Sequence, residues 1–147
     1  MLLTVVLIVV LLSIGFATFE QQTKVQKNNR AVQQVAWAVK QARHYARIHG
    51  EKTELIFNSG ERVYAINADG ENLINNSRID AFSGVLPEGN QFLNNNCGTI
   101  YFDVDGSPVD SLGDVVLNDC TVTIGYDSDI QRDLTLKAIS GNVIYEK

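Results

Sequence analysis

The feature that most limits the possible folds is a helix-forming stretch that fills the first third of the chain. Residues 2–19 carry no charged side chain, and residues 20–49 contain neither proline nor glycine. As a helix, the 18 uncharged residues extend about 27 Å at 1.5 Å per residue. That length is close to the roughly 30 Å hydrocarbon thickness of a bilayer. We therefore predict one long helix over residues 1–50, with residues 1–19 as a membrane-spanning segment.

The second part of this helix, residues 20–50, has the pattern of an amphipathic helix that packs on a core. Small apolar residues recur at spacings of three and four, while lysines and arginines mostly occupy other faces. Gly50 follows His49, and glycine readily adopts the positive φ that often ends a helix. The face predicted to pack on the rest of the protein consists of Ala31, Val35, Ala38, Val39, Ala42 and Ala46.

The apolar start of the chain admits three interpretations. A cleavable secretory signal needs a basic start and a small-residue cleavage site, and neither is evident here. A simple membrane anchor should have lysine or arginine on its cytoplasmic flank. The third interpretation, which explains the missing basic flank and is preferred, is that a basic leader has been removed and that Met1 is the mature N-terminus.

Charge is distributed unevenly along the 147 residues. Residues 1–50 contain six Lys or Arg against one acid, a net of +5, and residues 51–147 contain six against sixteen, a net of −10. Nucleic-acid affinity rests mainly on Lys and Arg that neutralise phosphates, so an acidic C-terminal part argues against a nucleic-acid partner.

After Gly50 the apolar pattern changes to the period of two that is typical of strands. Short turns join the predicted strands with no helical segment between them, which indicates an antiparallel sheet. The predicted fold class is therefore α+β, with a long N-terminal helix packed on an antiparallel β head at residues 51–147. The predicted strands are residues 53–57, 62–67, 72–74, 78–82, 99–104, 115–117, 121–126, 133–139 and 142–146.

The two cysteines, Cys97 and Cys120, both lie in the predicted head. If the head is exported to an oxidising compartment, the pair is expected to form a disulfide; two unrelated buried thiols are the alternative. No CxxC or His–Cys spacing accompanies them, so no metal is expected at these residues. No cofactor is predicted.

The order of these elements resembles type IV pilins and pseudopilins, and within that group the GspH/FimT-type minor pseudopilins. Three segments carry the resemblance: the helix end "AVKQARHYARIHGEKTELIF", the strand and turn "IYFDVDGSP", and the C-terminal hairpin "LTLKAISGNVIYE". The resemblance covers nearly the whole chain. The matched positions are Ala42, Arg43, Ala46, Arg47, Gly50, Phe102, Asp103, Asp105, Gly106, Ser140 and Gly141.

The resemblance implies a structural subunit of a type IV pilus-like or type II secretion filament, with residues 1–19 as the filament core. It implies processing by a prepilin peptidase and methylation at Met1. The implied location is the inner membrane before assembly, with the head outside the cytoplasm, and an extracellular or periplasmic filament afterwards. The implied partners are copies of this chain or other pilins, held through an assembly helix of Leu2, Leu3, Thr4, Val5, Val6, Leu7, Ile8, Val9, Val10, Leu11 and Leu12.

Two positions depart from the usual pilin pattern. Pilins typically carry glutamate at the fifth mature position, where Val5 stands here, and often a helix-bending proline at position 22, where Gln22 stands. Without the fifth-position acid, the charge pairing usual for pilin assembly is not available to this subunit.

Other functional classes find less support in the sequence. Asp103, Asp105 and Asp110 lie close together, but their spacing does not match an EF-hand calcium loop, and an Asp-Gly turn explains them. No spacing of nucleophile, base and acid indicates catalysis, so we predict no enzyme activity. The alternative to a filament subunit is a monomeric, membrane-anchored binding module with an acidic head.

Overall fold

The computed structural model describes residues 2–79, 84–116, 118–126, 130–138 and 140–145, with side chains from Thr18 onward. One helix, α1, runs without interruption over Leu2–His49, a length of 48 residues or about 72 Å. It ends where predicted, because Gly50 adopts a φ of 66° and its N–H donates to the carbonyl of Ala46. Met1 and the side chains of residues 2–17, which include the predicted assembly helix, lie outside the description.

All strand pairs in the described part are antiparallel, as predicted, and they form two sheets. Sheet A has five strands in the order β3-β2-β1-β5-β6, and sheet B has four in the order β4-β7-β8-β9. The strands are β1 Thr53–Phe57, β2 Tyr64–Ala68, β3 Glu71–Asn72, β4 Asn90–Asn95, β5 Thr99–Phe102, β6 Pro108–Val109, β7 Cys120–Tyr126, β8 Ile130–Leu136 and β9 Val143–Tyr145.

The inner faces of both sheets pack with the second half of α1 around one hydrophobic core. Strand β1 alternates strictly, with Thr53, Leu55 and Phe57 buried and the residues between them half-exposed. The large, fully buried side chains of sheet B include Phe92 and Leu134. Burying a side chain of this kind stabilises the fold by about 1.5–3 kcal/mol.

Several strand predictions need correction: β3 ends at Asn72, so Leu73 and Ile74 of the predicted strand 72–74 lie in a turn, and the two-residue strand β6 was not predicted. Arg78 and Ile79, predicted to begin a strand, form a bend, and residues 80–82 of that prediction lie outside the described residues. The bend follows a turn at residues 73–77, which is stabilised because the Asn72 side chain accepts hydrogen bonds from the N–H groups of Ile74 and Asn75.

Strand β4 was likewise not predicted, and the strand predicted over residues 115–117 is not found in its described part. In β4, "NQFLNN" has only two apolar residues, and the strand forms through its pairing with β7. Of residues 115–117, Val115 makes only an isolated bridge to Val109, and residue 117 lies outside the description.

In the part of the chain that the structure describes, no helical stretch is both long and apolar enough to cross a membrane.

Candidate assembly surface

Helix α1 divides into a projecting part and a part held by the head. Residues 18–22 are exposed, and Phe19 keeps 72% of its surface accessible. From Asn28 onward the helix has a continuous buried face. The six residues predicted to form that face, Ala31, Val35, Ala38, Val39, Ala42 and Ala46, are completely buried.

The helix leaves the head beside the ring of Tyr126. The Nζ atoms of Lys24 and Lys27 each lie 5.7 Å from the centre of this ring. A cation at that distance from an aromatic face is attracted by the ring's quadrupole. The same ring lies so close to Gly89 that no β-carbon would fit there. Helix α1 therefore leaves the head at the turn that contains Lys24 and Lys27.

A buried pair of asparagines attaches α1 to the head directly after Lys27. Asn28 on α1 donates to the carbonyl of Ile130 at 3.2 Å, and Asn90 on β4 donates to the Asn28 side-chain oxygen at 2.9 Å. Both asparagines are completely buried. A buried polar side chain is costly unless it is hydrogen-bonded, so this pair favours one rotation and one height of the helix in the head.

A second polar anchor, Gln34, lies six residues after Asn28 on α1. The Gln34 amide donates to the hydroxyl of Tyr64 at 3.1 Å and to the carbonyl of Val85 at 2.9 Å. Burial raises the pKa of the Tyr64 hydroxyl above its usual value of 10.0, and the hydrogen bond from Gln34 opposes that rise. These two polar anchors were not predicted from the sequence. The sequence does contain a pattern that points to them, because Asn28 and Gln34 follow the three- and four-residue spacing of the apolar face.

At the end of the helix, the three segments that carry the family resemblance meet. A β-carbon added to Gly106, in the Asp-Gly turn, would lie 2.7 Å from Cγ of Arg47 and 3.1 Å from Cγ of Arg43. A β-carbon added to Gly141, in the C-terminal hairpin, would lie 3.7 Å from Cζ of Arg43. The Asp-Gly turn therefore packs on the stems of both helix arginines, and the hairpin turn packs beside the Arg43 guanidinium.

Two of the three aspartates singled out in the sequence, Asp105 and Asp110, serve as turn caps, while the Asp103 carboxylate lies 3.9 Å from the Lys52 Nζ atom. Asp105 accepts hydrogen bonds from the N–H and the hydroxyl of Ser107, and these bonds, with a smaller contribution from the charge of Arg47, lower its pKa. The Asp110 carboxylate accepts from the N–H groups of two residues of its own loop. Among the described residues, no group of three His, Cys, Asp or Glu could hold a metal ion.

Cys97 and Cys120 form a disulfide, as predicted, with 5.0 Å between their Cα atoms. It joins the β4–β5 connection to the first residue of β7. A neighbouring Asn96 side chain accepts from the N–H of Thr121 and supports the same junction. The disulfide therefore ties the link between the two sheets to the start of a central strand of sheet B.

Comparison with protein-family models and with curated proteins finds no match. Among solved structures, the chain is similar to the type IV minor pilin FimU from Pseudomonas aeruginosa, with a TM-score of 0.58 and 14% identity over 85% of this chain and 92% of that one. It is also similar to EpsH, the minor pseudopilin from the type 2 secretion system of Vibrio cholerae, with a TM-score of 0.54 and 13% identity over 82% and 96% of the two chains.

Each similarity spans more than four-fifths of this chain. Neither of the two similar proteins is an enzyme. At these identities the likeness concerns the fold. The chain has the α+β fold of type IV pilins and pseudopilins, in which one long N-terminal helix packs on an antiparallel head.

Proposed function

We propose that this chain is a structural subunit, a pilin or pseudopilin, of a type IV pilus-like or type II secretion filament. The observation that carries the proposal is the division of α1. Its second half is fixed in the head by a buried apolar face and polar anchors, while residues 18–22 are exposed and lie at the end of the uncharged helical run of residues 2–19. The minor pilin and minor pseudopilin folds found by comparison support it.

The physical basis for assembly is the apolar surface of the first eighteen or so residues. Each exposed Leu, Ile or Val side chain costs about 1.5–3 kcal/mol in water relative to burial. A lipid bilayer removes that surface from water, and so does a bundle of such helices. A subunit with a firmly attached head and an apolar helix is therefore stable in two environments, a membrane and the core of a filament.

The proposal includes the finer steps that the family resemblance implies. These are removal of a leader by a prepilin peptidase, methylation at Met1 and residence in the inner membrane before assembly. Val5 avoids the cost of burying a carboxylate but leaves the N-terminal ammonium without its usual acidic partner. We propose that Thr4 or backbone carbonyls help to satisfy this ammonium, or that the terminus lies where water or lipid head groups reach it.

The test is to shear cells that express the full chain and to examine the released fraction by electron microscopy and immunoblotting. A charge placed in the apolar run, Val9→Lys, should remove the chain from the sheared filaments, since a lysine is costly in an apolar helix bundle. Gln22→Lys, at an exposed position of the same helix, is the matched control and should leave the yield unchanged. Recovery of the unaltered chain only as a membrane monomer would contradict the proposal and favour a tethered binding module.

A further inference from the structure

A groove lies along α1, on the side where the Gln34 side chain contacts Tyr64 of β2. It has a volume of about 570 Å³, and its described lining consists of Arg30, Gln33, Gln34 and Trp37. Gln34 is held by Tyr64 of β2 and by Val85, which fixes that wall. Arg30 is exposed and forms no ion pair with any described residue. Tryptophan and arginine are the residues most enriched among interface hot spots.

An apolar knob, formed by the loop between Val109 and Val115, lies at the β6 edge of sheet A. Strand β6 ends at Val109, which bridges to Val115, and the loop between them presents Leu112 with 85% of its surface exposed. The loop is fixed internally, since the Asp110 carboxylate accepts from the N–H groups of Leu112 and Asp114 at 2.9 Å each. The Asp114 side chain is exposed and has no ion pair within the described chain.

The groove and the knob are complementary but cannot meet within one molecule. The groove combines an aromatic wall with the Arg30 cation, and the knob combines an exposed aliphatic side chain with the Asp114 carboxylate. The groove is attached to β2 and the knob to β6, which lie three strand spacings of about 4.8 Å, or roughly 14 Å, apart in sheet A. A contact between two different patches of the same chain propagates from copy to copy and builds an open assembly unless its rotation closes a ring.

We propose that, in the filament, the Leu112 knob of one copy inserts into the Trp37 groove of a second copy, with Asp114 paired to Arg30. This inference rests on the proposed filament function and adds to it a head-to-helix contact between neighbours. The apolar helix then supplies the bulk of the assembly energy, and the knob and groove set the register between adjacent subunits.

Site-directed cross-linking of the full chain in intact cells tests the contact. The double variant Gln33→Cys with Leu112→Cys, treated with a short thiol-specific cross-linker, should give a ladder of dimers, trimers and larger species. Either single variant should give no ladder, because the two positions belong to different patches. The matched control is Gln33→Cys with Val104→Cys, which places the second thiol at another exposed apolar position and should also give no ladder.

Charge reversal tests the same contact without new thiols. Arg30→Asp and Asp114→Arg should each lower the filament yield by about tenfold, because each places two like charges opposite one another between neighbouring subunits. The double variant exchanges the two charges and should restore most of the yield. Lys40→Asp reverses an exposed charge further along the same helix and should have no such effect.

Filaments that form normally in both charge variants, with no ladder from the Gln33–Leu112 pair, would overturn the contact and leave the proposed function standing. A ladder from the Val104 control alone would overturn it as well. If the unaltered chain forms no filaments, the proposed function fails first and the contact fails with it.

Discussion

Gly106 packs directly on the side chain of Arg47, and a β-carbon at residue 106 would lie 2.7 Å from both Cγ and Cδ of that arginine. The glycine is buried and has a φ of 79°. Two segments far apart in sequence, the helix end and the Asp-Gly turn, therefore meet with no room for another atom. Their contact positions the turn before β6 on α1.

Gly106→Ala tests this contact. The substitution combines an unfavourable positive φ with a displaced Arg47 stem, so we expect the free energy of unfolding to fall by about 2–4 kcal/mol. Gly60→Ala is the matched control, since Gly60 has a φ of 81° and no neighbouring atom within 4 Å of the added carbon. Only the backbone cost of about 1–2 kcal/mol should appear there. Denaturant unfolding followed by Trp37 fluorescence measures both, and equal losses would contradict the close contact.

Asn28→Ala tests the buried polar anchor of the helix. It leaves the Asn90 amide without its hydrogen-bond acceptor in a buried site, which should lower the free energy of unfolding by about 1–3 kcal/mol. Asn29→Ala changes the adjacent, exposed residue and should cost less than about 0.5 kcal/mol. A loss no larger at residue 28 than at residue 29 would show that the asparagine pair does not stabilise the junction.

Reduction of the Cys97–Cys120 disulfide should destabilise the head by about 3 kcal/mol, since it reopens a loop spanning 23 residues. The double variant Cys97→Ser with Cys120→Ser should show the same loss without reductant. Thermal unfolding of the unaltered chain with and without reductant gives the comparison, and the double variant should not respond to reductant. An unchanged transition on reduction would contradict a stabilising role.

Acid stability should depend on Asp119. The hydrogen bond from Lys137 and that from the N–H of Ala138 lower the Asp119 pKa below its usual 3.8. The resulting stabilisation is complete above the unfolded-state pKa and is lost as pH falls through the lower, folded-state pKa. Asp119→Asn should therefore reduce the acid-induced loss of stability below about pH 4. Lys137→Met, which removes the first of these hydrogen bonds, should act in the same direction, and an unchanged pH profile in both variants would contradict the assignment.

The outline of the fold follows from sequence patterns that act locally. An uninterrupted helix-forming stretch and a glycine at residue 50 determine α1, and strict alternation determines β1. Strand β4 could not be predicted in this way. Its asparagine-rich sequence has little strand preference of its own, and its conformation depends on pairing with β7 across a register shift between Phe92 and Asn94.

The candidate assembly surface was predicted in part. The apolar face of α1 follows from residue spacing, because a helix repeats every 3.6 residues. The asparagine pair, the Gln34 anchor and the knob at Leu112 depend on which distant strands approach the helix or form the sheet edge. Spacing along the chain carries no information about such approaches, so these features emerge only from the three-dimensional structure.

The central claim, that this chain is a filament subunit built around its apolar helix, is tested most directly by cryo-electron microscopy of the sheared surface fraction. We expect filaments in which α1 helices are bundled in the core and the two-sheet heads form the outer layer. Filaments whose density contains no copy of this head, or a chain found only as a monomer in membranes, would contradict it.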